Sequence, residues 1–76
     1  MREAIDQNTL KALVSAQALR ECRIVRYGEG WSLQGRLGAT WLPVRSDKKP
    51  IRVWLSLTAI GKFCESVGIH TATLEL

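Results

Sequence analysis

The stretch 50–69, PIRVWLSLTAIGKFCESVGI, changes its hydrophobic period halfway along. Up to Leu55 it alternates, with Ile51, Val53 and Leu55 in one phase and Arg52 and Trp54 in the other. From Leu57 the apolar residues recur at three and four positions: Leu57, Ile60, Phe63, Cys64 and Val67. Period two marks a strand, and the three-four spacing marks one face of a helix. The stretch therefore reads as a strand running directly into a helix. Ser56 or Thr58 is the expected N-cap, and Gly68 followed by Ile69 the expected glycine C-cap with its hydrophobic partner. Gly61 lies inside the helix at a cost of about 1 kcal/mol relative to alanine, which suggests close packing on a sheet. The aliphatic phase of the strand is predicted to face the core, leaving Arg52 and Trp54 on the outer side.

The residues before this stretch supply the rest of the sheet. AIDQNTLKALVSAQAL (4–19) reads as a helix capped by Asp6 or Asn8, with a narrow stripe of Leu10, Leu13, Val14 and Gln17. LRECRIVRY (19–27) reads as a strand closed by the turn Gly28–Gly30, whose glycines supply positive φ angles. WSLQGRL (31–37) places Trp31, Leu33 and Leu37 in one phase and Ser32, Gln34 and Arg36 in the other. Gly38 marks the next reversal. ATWLPVR (39–45) turns Leu42 and Val44 inward and Trp41 and Arg45 outward, and Pro43 suggests an edge strand or a strand that breaks there. HTATLEL (70–76) ends the chain as a short strand with Ala72, Leu74 and Leu76 in phase. The predicted class is α+β: a small antiparallel-type sheet of four to five strands, two helices on one face, in the order α-β-β-β-β-α-β.

At 76 residues the chain forms one domain, 1–76, able to bury only about 60% of its unfolded surface. With 46% hydrophobic and 24% charged residues it is globular rather than disordered. No apolar run approaches the roughly 20 residues of a membrane span, and MREAIDQ lacks a hydrophobic signal core, so a cytoplasmic location is expected. Cys22 and Cys64 are far apart in sequence and read as thiols. His70 is the only histidine, so neither a metal cluster nor a nucleophile–base pair can be assembled. No catalysis, metal or cofactor is expected.

The charge is more telling in its distribution than in its sum of +4. Arg20, Arg23, Arg26, Arg36, Arg45, Lys48, Lys49 and Arg52 lie in the central part of the chain, opposed there by Glu21, Glu29 and Asp47. On the predicted outer sheet face, arginine alternates with tryptophan. Arginine supplies phosphate and base contacts, and tryptophan an apolar platform. Arg23, Arg36, Trp41, Arg45, Lys48, Lys49, Arg52 and Trp54 are accordingly the candidate nucleic-acid-binding residues, with DNA favoured and RNA retained. The first strand adds either Arg23 and Tyr27 or Arg20 and Arg26. The alternative is a protein-interaction module, most simply a homodimer burying Trp41 and Trp54.

Gly30-Trp31, Arg36-Leu37-Gly38, Arg52 through Leu57-Thr58, and Gly68-Ile69 together give a pattern over the whole length. That pattern resembles the ParC-like small partition-associated proteins of plasmids and integrative mobile elements. Thr58 stands where an acidic cap is common in that family. The resemblance implies a bacterial accessory protein of plasmid or mobile-element maintenance, and leaves both DNA and partition proteins open as its partners. RVWLSLTAIGKF is also similar to the three-stranded-sheet DNA-binding domains of ethylene-response factors and of integrase arm-binding modules. That likeness implies a sheet laid in the major groove by Arg36, Arg45, Arg52, Trp41 and Trp54.

Overall fold

A computed structural model describes residues 4–76. The expected domain limits, and the expectation drawn from MREAIDQ, both take in residues 1–3, outside the described residues. Two helices and a four-stranded mixed sheet follow in the order α1 (Gln7–Ser15), β1 (Glu21–Tyr27), β2 (Gly30–Leu37), β3 (Thr40–Pro43), α2 (Leu57–Val67) and β4 (Thr73–Glu75). The sheet order is β3-β2-β1-β4; β1–β2 and β2–β3 are antiparallel, whereas β4 joins β1 in parallel. The α+β class and the two helices hold, but the sheet is not wholly antiparallel. Its parallel pair arises because α2 carries the chain back before β4 begins.

Both hairpins have two-residue loops opening on a left-handed glycine, Gly28 (φ 60) and Gly38 (φ 65). Gly30 is different. It is extended, and a Cβ there would lie 2.4 Å from the Trp54 carbonyl oxygen, so its need is space rather than φ.

The expected strand 51–55 is reduced to one antiparallel bridge, Trp31↔Trp54, with N–H to O distances of 2.8 and 2.9 Å. Counted as a β position, it completes the α-β-β-β-β-α-β order. The chain leaves the sheet after Val44, whose carbonyl accepts the Arg52 N–H on return at 2.9 Å. Trp54 then occupies the edge of β2 that β3 has vacated.

This pairing overturns the expected phase. Trp54 shares the side of Trp31 and is 6% exposed, tilted against Phe63 at 4.9 Å between ring centroids. Leu55, expected inside, is 80% exposed, and Val53 is also exposed. Burying an indole against Phe63 removes more apolar area from water than burying Val53 or Leu55 would. The core joins Leu10 of α1 and Ile60, Phe63, Cys64 and Val67 of α2 to Leu33, Val44, Ile5, Trp54 and Ile69. Both helices thus cover one face of the sheet.

The caps agree with the sequence. Asp6 Oδ1 accepts the Thr9 N–H at 2.7 Å, Ser56 Oγ accepts the Ala59 N–H at 3.1 Å, and Gly68 closes α2 with φ 93. Gly61 does not mark close packing, since a Cβ there would meet nothing within 4 Å.

Candidate functional site

The sheet register divides the candidate residues into two groups. Tyr27 opposite Gly30 sets Arg23 opposite Gln34, Glu21 opposite Arg36 and Arg26 opposite Trp31. Residues directly opposite share a face. Arg23 and Tyr27 therefore join Gln34, Arg36 and Trp41 on the open face, while Arg26 projects on the helix side.

On the open face the arginines are occupied. Arg23 Nε donates to Gln34 Oε1 at 2.6 Å, its guanidinium lies 3.6 Å from Glu75, and it stacks 4.0 Å over the Trp41 ring. Arg36 donates to Glu21 at 3.1 Å and to the Gly38 carbonyl at 2.9 Å, and it too approaches Trp41. Two arginines meet two carboxylates, and the one tryptophan is covered. Exposed ion pairs of this kind contribute about 0–1 kcal/mol each.

The other basic residues gather around 45–52. Gln7, Arg45, Ser46, Asp47, Lys48, Lys49 and Arg52 line an open groove of about 500 Å³ beside the start of α1. Ile5 brings α1 there: its N–H donates to the Pro43 carbonyl at 2.8 Å, and its carbonyl accepts the Arg45 N–H at 2.9 Å. Ser46 Oγ accepts the amides of Lys48 (3.3 Å) and Lys49 (3.0 Å), which fixes the turn presenting both lysines. Arg45 is paired with Asp6 Oδ2 at 3.2 Å. Asp6 is held below its ordinary value of 3.8, first by the Thr9 backbone amide, then by the Thr9 side chain and Arg45; desolvation opposes them.

Arg52 lines the same groove. Its guanidinium carbon stands 4.7 Å from the Trp54 ring centroid and 4.9 Å from that of Phe63. Arg26 repeats the motif at 4.9 Å over Trp31. An Arg26–Trp31–Trp54–Arg52 row thus crosses from β1 to the groove. Trp54 supports that row from the core and offers no surface for stacking; Arg52 borders the groove instead of the open face. The sequence left Arg26 as one of two choices, and its core-side phase for Trp31 holds, with the ring packed against the core and partly buried. The two-residue loop Gly28–Glu29 was the signal for both, because it fixes the register.

Burial raises the thiols of Cys22 and Cys64, and Cys22 further raises Cys64, so neither is an activated nucleophile. No metal-holding group of three or more His, Cys, Asp or Glu occurs among the described residues. No helix among them is long and apolar enough to cross a membrane. The chain matches no family model, no curated protein and no solved structure.

Proposed function

We propose that the protein binds nucleic acid, duplex DNA foremost, through the helix-side surface of Arg26, Lys48, Lys49 and Arg52. In this reading it is an accessory protein of plasmid or mobile-element maintenance, as the resemblance to ParC-like proteins implies. The observation that carries the binding surface is the partition of ion pairs. Arg23, Arg36 and Arg45 each have a carboxylate, whereas among the described residues Arg26, Lys48, Lys49 and Arg52 have none within 4 Å, as is true of Lys11, Arg20 and Lys62 outside the groove lining. Unpaired cations beside a groove raise the local potential for phosphates; neutralised ones add little. Lys48 and Lys49 contribute charge to the phosphate backbone, and Arg26 on Trp31 a flat cation on which sugars or bases can rest.

The test is the salt dependence of duplex binding. Every phosphate that the protein no longer neutralises lowers the magnitude of the negative slope of log K against log salt by about 0.9. Replacing Lys48 and Lys49 with alanine should reduce the slope by nearly twice that amount. The Arg23→Ala, Arg36→Ala double variant should keep the wild-type slope. Absence of duplex binding by the wild type at about 50 mM salt would overturn the reading.

A protein-interaction module is the second reading, favoured by exposed Val53, Leu55, Leu57 and Tyr27. A homodimer held by Trp41 and Trp54 is disfavoured, because Trp54 is in the core and Arg23 covers Trp41. Sedimentation of the wild type beside Leu55→Asp separates this reading from the first. A dimer dissolved by the substitution would support it, and a monomer in both cases would remove its self-association form.

A further inference from the structure

We propose that Arg52 is the seat of a phosphate site, with Lys48 and Lys49 as its flanking cations and Gln7, which lines the same groove, as a neutral donor. The proposal rests on the reading of this surface as the nucleic-acid interface and gives that interface its centre. An arginine paired with a carboxylate spends its donors on that partner. Arg52 is held by two rings, Trp54 and Phe63, themselves buried and packed on each other. Among the described residues its side chain has no hydrogen-bond acceptor and no ion pair; only its backbone N–H is engaged, by Val44. The guanidinium is therefore oriented before any ligand arrives and keeps its N–H fork for a planar pair of anionic oxygens. Stacking removes rotamer freedom in advance, which lowers the cost of binding. The Ser46 turn fixes the backbone from which the two lysines project. Among the described residues lining the groove Asp47 is the one carboxylate, and it opposes an anion there.

The chemistry recognised is a phosphate oxyanion, supplied either by a nucleic-acid backbone or by a small phosphate. Calorimetric titration with pyrophosphate and with a short mixed-sequence duplex distinguishes the sources. Arg52→Lys keeps the charge and removes the fork and the stack, so it should weaken both ligands at least tenfold. Asp47→Asn, on the exposed turn, should tighten both several-fold and decides the matter if Arg52→Lys does not fold. Duplex binding that ignores both substitutions overturns the Arg52 seat and leaves nucleic-acid binding standing. Pyrophosphate binding that depends on Arg52 without any duplex binding keeps the seat and overturns the nucleic-acid reading. Binding of neither ligand overturns both.

Discussion

Adding one methyl group at Gly30 or at Gly61 has opposite consequences. Gly30→Ala drives a Cβ into the Trp54 carbonyl and the Val53 side chain. Backbone cannot yield as a side chain can, so the loss should reach the upper part of the roughly 1–3 kcal/mol typical of overpacking. Gly61→Ala meets open space inside a helix and should gain about 0.4–1 kcal/mol, since alanine narrows the unfolded ensemble. Urea midpoints of the two variants, moving in opposite directions from wild type, check both. Trp54→Ala removes the ring that supports Arg52 and fills the core beside Phe63; about 3–5 kcal/mol should go with it. The phase of Trp54 was not legible because both phases of 51–55 carry large apolar groups. Periodicity says that a segment alternates, not which side wins. The deciding fact is the packing of Trp54 on Phe63, nine residues along in sequence and in another element.

At the scale of elements, the helix ends were readable because caps are local chemistry. Asp6, Ser56 and Gly68 do in the structure what their side chains, or the lack of one, dictate. Ser56→Ala leaves the Ala59 amide without its acceptor and should cost about 1 kcal/mol. Asp6 adds a pH dependence whose sign follows from its lowered value. The folded state holds a proton there less readily than the unfolded chain, so the contribution is complete above 3.8 and fades as pH falls through the folded value. Asp6→Asn, which preserves an acceptor at the cap, should flatten this acid limb in denaturation curves between about pH 5 and 2. An unchanged limb would show that Asp6 does not govern it. The hairpins were equally legible from Gly28 and Gly38. The short fourth strand was foreseen near its place, but its parallel alignment with β1 was not, because partner choice depends on how α2 returns the chain.

Over the whole molecule, the sequence revealed how many cations the centre carries but not where the fold sends them. Arg23 and Arg36 go to a face where Glu21 and Glu75, remote in sequence from their partners, neutralise them. Arg45 goes to Asp6, thirty-nine positions away. Lys48, Lys49 and Arg52 remain beside the groove, and the register of one tight turn brings Arg26 to the same side. A face read from alternation alone thus merged two surfaces of different electrostatic character. Nucleic-acid binding at the groove depends on that separation. Amide and indole resonances followed during titration with a short duplex test it most directly. Shifts are predicted in residues 45–52, at Arg26 and at the Trp31 indole, with Glu21, Arg23, Gln34, Arg36 and the Trp41 indole unmoved. Shifts concentrated on that second set, with 45–52 unchanged, would contradict it.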